Sequence, residues 1–400
     1  MDSHLDSIKS SSLAVPPDFG LAPMEGVSEL AFRLWIAQTS SPVFCSTPFL
    51  RATDSYPAEI PRDFAPETAP RLELLPYSVI VQVMASRPQD FVRTARLFLL
   101  DHEFVDLNCG CPSPSPVHGG AGSSLLREPL HFRDFTQHLS DSLPSQSFSI
   151  KMRSGFTDTQ YFSQYLQILA ALPLRQLTIH GRTRTDRYDH QSRWDLIHSA
   201  ALALPFSVVG SGDVLSWATW QRLAATAPSI KRVIVGRGAL RNPWIFAELR
   251  SGQHQHIRRS VLQRALACFA LLTELGLNRE SFPLLRLIDA GLWQKSAGTD
   301  PDAWQGLYDR LCFEVYGQPC KLSELQLQRI SLGRLKMIWN SLRSSLPSEY
   351  FSPLLLRSRS VGELVAGLQS LDPGDELFAI RHNPDYDWLY TSSRIKQITI

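Results

Sequence analysis

Asp106-Leu107-Asn108-Cys109-Gly110-Cys111-Pro112-Ser113 follows an apolar β-rich run, Phe104–Leu107, and sets a thiol beside a glycine turn and a proline that permits a helix to begin. A side chain at the end of such a strand can reach a ligand. Cys111 therefore has two readings: a buried small hydrophobe, the usual fate of a free cysteine, or a group that performs chemistry. The surrounding runs bear on the choice.

Phe104–Leu107 is one of eight similar runs, the others being Phe19–Ala22, Val43–Ser46, Val79–Val83, Phe148–Met152, Gln176–Ile179, Ser207–Val209 and Arg232–Val235. Helix-period segments such as Phe91–Leu100, Tyr161–Ala171 and Trp217–Ala225 lie between several of them. Alternating strand and helix predicts a parallel sheet. About 230 residues from Phe19 to Arg250 match the roughly 250 of a (β/α)8 TIM barrel. The competing α/β solution is an open doubly wound sheet, but no G-x-G-x-x-G follows the first run.

TIM barrels carry their chemistry at the C-terminal ends of the strands. Those ends read Pro23-Met24-Glu25, Gln82, Asn108 with Cys111, Lys151 with Arg153, His180 with Arg182, Ser211-Gly212-Asp213 and Gly236-Arg237-Gly238. They are polar residues converging on one rim. Lys151 and Arg153, two apart, share a face of their strand, and the glycines after the last two strands suit a phosphate held by backbone N–H groups.

Beyond Arg250 the alternation stops, and Ser260–Leu275, Pro301–Tyr316, Ser323–Leu346 and Val361–Leu371 read as helices. The expected organisation is a disordered leader (1–17), a TIM barrel (18–250), an all-α helical domain (251–371) and a tail (372–400) with Trp388-Leu389-Tyr390 as a docking point.

With 400 residues, 44% hydrophobic and 20% charged, the chain suits a soluble globular protein of about two domains. Six cysteines lack the density and spacing of a disulfide framework, so a cytoplasmic setting is expected. Cys109 and Cys111 are separated by one residue, whereas zinc pairs usually leave two to four, and no metal site is expected. The serine-rich start lacks the basic and apolar segments of a signal peptide, and no run approaches the roughly twenty apolar residues of a membrane helix. A net charge of +2 alone predicts no affinity for nucleic acid. Locally, Lys321, Arg329, Arg334, Lys336, Arg343, Arg357 and Arg359 stand against only Glu324 and Glu349, a basic patch or a solvated helix face.

Taken together, Leu21-Ala22-Pro23-Met24-Glu25-Gly26-Val27, the Asp106–Ser113 octet, Ile150-Lys151-Met152-Arg153, Ile179-His180-Gly181-Arg182-Thr183 and Gly236-Arg237-Gly238-Ala239-Leu240 resemble the tRNA-dihydrouridine synthases. The Cys-Gly-Cys-Pro-Ser form and the Arg-x-Lys pattern at Arg334 and Lys336 look most like the bacterial DusC type, which acts on uridine 16. The resemblance implies an FMN enzyme that uses NADPH to reduce the C5–C6 double bond of a tRNA uridine, with tRNA as partner; no obligate protein partner is evident in the sequence, and a monomer is expected. Reduced flavin would deliver hydride to C6, and a general acid would protonate C5 from the opposite face. Cys111 matches the proton donor, which must be the neutral thiol at that moment; Cys109 is the structural one.

By the same resemblance Lys151 meets the flavin ring, where a cation stabilises the anionic reduced form. His180 matches another flavin-site residue, Gln82 a flavin amide contact, and Pro23, Met24 and Glu25 the segment against the isoalloxazine. Ser211, Gly212, Asp213, Gly236 and Arg237 match the phosphate site, with Arg237 able to add a charge-assisted contact. Arg51, Asn108, Tyr188, Arg334, Lys336 and Arg357 match tRNA contacts, Asn108 and Tyr188 near a uridine flipped from its stack. Helical spacing sets Leu327, Leu335, Ile338 and Leu342 on the apolar face, Arg334 at its flank and Lys336 and Arg343 away from it, so Arg334 and Lys336 do not point the same way. Two departures stand out: Ser211 replaces an asparagine common in the family, and the stretch 277–328 is longer than its DusC counterpart. Two other readings are an FMN barrel acting on a small pyrimidine-like molecule and a catalytically silent tRNA-binding protein.

Overall fold

The computed structural model of the chain describes residues 17–278, 283–293, 295–368 and 376–381; the leader through residue 16 and the Trp388-Leu389-Tyr390 docking point lie outside the described residues. Ten short strands form one all-parallel sheet: β1 (Asp18–Leu21), β2 (Phe44–Ser46), β3 (Leu50–Arg51), β4 (Ser78–Ile80), β5 (Gln82–Met84), β6 (Val105–Cys109), β7 (Phe148–Arg153), β8 (Gln176–His180), β9 (Ser207–Ser211) and β10 (Arg232–Val235). They make eight staves, β2 with β3 and β4 with β5 each forming one. Only Val81 separates β4 from β5, so Ser78–Met84 is a single stave bonded to β2 and β3 on one side and to β6 on the other. From β6 the pairing runs through β7, β8, β9, β10 and β1 back to β2, which closes the ring. The run expected over Val79–Val83 is thus one stave interrupted at Val81, whose carbonyl accepts from the Asp106 N–H at 2.9 Å as the stave changes partner.

The staves are apolar because both faces are covered. Leu107, Ile150, Met152, Leu177 and Ile179 are all completely buried. Around them lie α1 (Leu30–Ser40), α2 (Pro88–Phe98), α3 (Pro114–His118), α4 (Pro129–Ser142), α5 (Phe162–Ala170), α6 (Trp194–Ala203), α7 (Trp217–Thr226), α8 (Arg237–Arg241) and α9 (Ile245–Ser251). This is the TIM barrel.

A helical region follows: α10 (Arg259–Leu277), α11 (Pro283–Asp289), α12 (Pro301–Tyr316), α13 (Arg329–Leu342) and α14 (Val361–Gly367). It also contains a two-stranded antiparallel ribbon of β11 (His256–Arg258) and β12 (Leu377–Ala379), so part of the expected tail folds back as a strand. α13 is shorter than the expected Ser323–Leu346. The Glu274 carboxylate accepts from the Gln328 N–H at 3.0 Å and the Ser331 hydroxyl at 2.6 Å, which fixes its first turn, and Leu322–Glu324 forms a separate 3-10 turn.

α10 is long and apolar enough to cross a bilayer, but it packs in the core against α1, α12 and α13. Indoles bolt the two regions together. Trp35 on α1 donates to the Ala265 carbonyl at 2.7 Å, and Trp244 and Trp304 both donate to the Gly298 carbonyl, at 2.7 and 3.0 Å. The 277–328 stretch joins this shared core: Trp293 is completely buried, and Asp289 pairs with Arg71 of the barrel.

Candidate active site

The barrel register gathers the strand-end residues. Asn108 sits opposite Lys151, Arg153 opposite His180, and His180 opposite Ser211, so four consecutive staves end in one polar arc. Beneath it opens a cavity of about 620 Å³ lined by Met24, Cys111, Lys151, His180, Gly212 and Arg237 together with their neighbours. Pro23, Glu25, Asn108, Tyr188, Ser211, Asp213 and Gly236 also line it. The Met24 turn is held from within, since Ser28 Oγ accepts from the Met24 N–H at 2.7 Å and donates to its carbonyl at 3.1 Å. A second cavity of about 280 Å³, walled by Arg127, Phe156, Asp158 and Tyr161, holds none of the expected site residues.

Cys111 occupies a clamped turn. Asn108 Oδ1 accepts from the Gly110 and Cys111 N–H groups at 2.9 Å each, Arg153 Nε donates to the Gly110 carbonyl at 2.7 Å, and the Ser123 N–H donates to the Cys111 carbonyl at 3.1 Å. The side chain packs with Met84, Ala121 and Phe49. Gly122 comes so close that a Cβ there would lie 3.1 Å from the Cys111 Cβ, and its φ of +63° disfavours any side chain. Cys109, by contrast, is completely buried, and burial pushes its thiol well up.

Cations outnumber anions here. Burial and the neighbouring Arg153 push the Lys151 ammonium down to about 8, and no hydrogen bond or ion pair holds it among the described residues. His180 is pushed far below its ordinary value by burial and by Arg153, Lys151, Arg182 and Arg237, so its imidazole is neutral, and its buried Nδ1 has no partner. Arg182 and Arg237 both donate to Asp213, at 2.7 and 2.8 Å, which leaves one positive charge in excess. The Tyr188 ring lies 4.1 Å from the Arg237 guanidinium carbon, a cation–π contact at the same end of the cavity. Gly212 is required beside it, because a Cβ would meet Ser192 Oγ at 2.3 Å.

An FMN fits this donor set. An unpaired ammonium, an unpartnered ring nitrogen and a surplus guanidinium ask for an anionic, acceptor-rich ligand, while Met24, Val214, Leu215 and Leu240 offer an apolar wall for a planar ring.

Two of the expected contact residues are engaged inside the protein. Gln82 does not line the cavity: it is completely buried, its Nε2 donates to Asp106 at 2.8 Å, and its Oε1 accepts from Asn108 at 2.7 Å. Arg334 is not a free cation, because it donates to Glu29 Oε1 at 2.6 Å and to the Gly26 carbonyl at 3.0 Å. Arg51 and Arg357 are exposed and Lys336 is half-buried, all three outside the cavity. Sequence reasoning missed Phe49, Gly122, and Met337 and Ser341 of α13, which bring the helical region to the cavity wall. None of the described residues of the 277–328 stretch lines it.

The dihydrouridine synthase (Dus) family model matches residues 20–274. A protein of Oryza sativa subsp. japonica named as a tRNA-dihydrouridine(47) synthase (NAD(P)(+))-like is 33% identical over 184 residues, 44% of this chain and 26% of the relative. This chain therefore spans about a quarter of that relative's length. A tRNA-dihydrouridine(16) synthase of Cupriavidus necator is 30% identical over 234 residues, covering 58% of this chain and 72% of the relative. Among solved structures, the old yellow enzyme homologue of Zymomonas mobilis aligns with 59% of this chain at 11% identity and a TM-score of 0.41, too distant for functional comparison. With the family model spanning more than half of its residues, the chain belongs to the dihydrouridine synthase family.

Proposed function

We propose that this protein is an FMN-dependent, NADPH-linked tRNA-dihydrouridine synthase that reduces the C5–C6 double bond of a D-loop uridine, the one at position 16. The observation that carries the reading is the meeting of Cys111 with the unpaired Lys151 and His180 in one cavity.

In this reading an FMN held in the cavity and reduced by NADPH would supply the hydride for C6 of the uridine. Cys111 supplies the proton for C5, and Asn108, Arg153 and Ser123 hold the turn that carries it. Lys151 sets a positive charge beside the flavin ring, and His180 offers its unpartnered Nδ1. Pro23, Met24 and Glu25 pack the ring side. The surplus charge of Arg182 and Arg237 over Asp213, with Ser211, Gly212 and Gly236, receives the phosphate. Arg51, Lys336 and Arg357 meet RNA phosphates, Asn108 and Tyr188 border the uridine, and residues 251–371 form the tRNA-binding domain on the barrel of residues 18–250.

Position 16 is favoured by coverage, since the tRNA-dihydrouridine(16) synthases align over 72% to 78% of their length. Position 47 is the second reading, favoured by the 33% identity to the rice relative. The test is cofactor content and cosubstrate use. The purified protein should carry FMN and consume NADPH only when unmodified tRNA is present. NADPH consumption with free uracil and not with tRNA would support a small-pyrimidine enzyme instead.

A further inference from the structure

Three side chains, running from beneath the cavity to its wall, form a continuous relay that ends on the thiol's own backbone. Asp106 is buried on β6, where its Oδ1 accepts from Ser149 Oγ at 2.5 Å and its Oδ2 accepts from Gln82 Nε2 at 2.8 Å. Gln82 Oε1 accepts from Asn108 Nδ2 at 2.7 Å, and Asn108 Oδ1 accepts from the N–H groups of Gly110 and Cys111. Both Asp106 oxygens accept in this geometry, the role of an ionised carboxylate, and burial pushes the carboxyl up only to about 6, so the ionised form predominates at neutral pH.

That one-way end matters because each amide has a donor end and an acceptor end of nearly equal shape. With an acceptor at Asp106, Gln82 must point its nitrogen there and its oxygen at Asn108. Asn108 must then turn its nitrogen to Gln82 and its oxygen to the turn. A reversed Gln82 would set its oxygen against the Asp106 carboxylate and its N–H groups against those of Asn108; were Asn108 to reverse in response, it would present N–H to two backbone N–H groups, and both hydrogen bonds holding the turn would be lost.

We infer that Asp106 is a positioning residue for Cys111: through Gln82 it fixes the direction of the Asn108 amide and so holds the thiol-bearing turn in one conformation. The inference rests on the proposed role of Cys111, but the relay itself can be tested without tRNA, FMN or turnover. Asp106 never touches the cavity; its influence passes entirely through hydrogen bonds among β5, β6 and the turn.

The experiment is peptide-resolved alkylation of Cys111 by iodoacetamide in the cofactor-free protein at neutral pH, comparing wild type, Asp106→Ala and Asp106→Asn. Asp106→Ala removes the acceptor, and alkylation should rise about tenfold, the opening that follows loss of roughly one hydrogen bond. In Asp106→Asn the donor-only N–H groups of Gly110 and Cys111 still orient Asn108 and, through it, Gln82, so the new amide can turn its oxygen to Gln82 and its nitrogen to Ser149; alkylation should stay within about twofold of wild type, a rescue that a loss of mere packing would not show. Gln82→Met cuts the relay at its middle with similar volume and should match Asp106→Ala, which keeps the test valid if the alanine variant fails to fold. Wild-type alkylation rates in Asp106→Ala or Gln82→Met, or an Asp106→Asn rate as fast as Asp106→Ala, would overturn the inference. Failure of tRNA reduction would sink the proposed function yet leave these rates informative about the relay.

Discussion

Arg334 on α13 and Glu29 at the barrel rim form an ion pair, Nη2 to Oε1 at 2.6 Å, that ties the helical region to the mouth of the cavity. Arg334 is therefore a strut, whereas Lys336 carries no such pair among the described residues. The two cations should part company in salt titrations. Lys336→Ala should lower the slope of log affinity against log salt for tRNA by about one, as expected when one phosphate contact is lost. Arg334→Ala should leave the slope unchanged while weakening binding. Equal losses of slope would make both residues phosphate contacts.

Cys111→Ala should retain FMN and tRNA binding and lose turnover by about 10²–10⁴-fold, the contribution of a positioned general acid. Single-turnover oxidation of reduced enzyme by tRNA is the direct readout. A wild-type rate would remove Cys111 from the mechanism.

Lys151 makes stability depend on pH with a defined sign. Its folded value, about 8, lies below the ordinary 10.5 of an unfolded lysine, so the unfolded state binds more protons between those values. The cost of burying the charge is fully present below about pH 8 and is relieved as pH rises toward 10.5, on the order of 3 kcal/mol in total. Cofactor-free Lys151→Met should therefore be more stable than wild type in urea at pH 7, and the gap should narrow by pH 9.5. A gap that does not change with pH contradicts this.

Gly122→Ala places a methyl group 3.1 Å from the Cys111 Cβ on a backbone with φ of +63°. A cost of about 1–3 kcal/mol is expected from the strained conformation, with a matching fall in turnover as Cys111 is displaced. Denaturant midpoints and turnover measured on the same preparation check both. Unchanged stability would mean that the turn adjusts freely.

The eight staves are legible in the sequence because strands covered on both faces read as short apolar runs, and the rim residues are legible because they stand at the C-terminal ends of those runs or within a few places beyond them. Gln82 shows the limit. Its position at a strand end says that an amide is near the rim, but only the neighbouring Asp106 and Asn108 side chains decide that both of its ends are used inside the protein. Arg334 is similar: helical spacing separates it from Lys336, yet nothing local reveals that Glu29, more than 300 residues earlier, is its partner. Met337 and Ser341 escape notice because the cavity wall they form exists only once α13 has docked against α8. The break at Val81 is hidden for the same reason, since it records a change of neighbour and leaves the apolar run intact.

The most direct measurement is mass-spectrometric mapping of unmodified tRNA after incubation with the FMN-loaded protein and NADPH. The account predicts a gain of two hydrogens on the uridine at position 16, absent with Cys111→Ala. A gain at position 47 would keep the chemistry and reassign the site. No uridine gaining hydrogen, with FMN bound and NADPH present, would contradict the central claim.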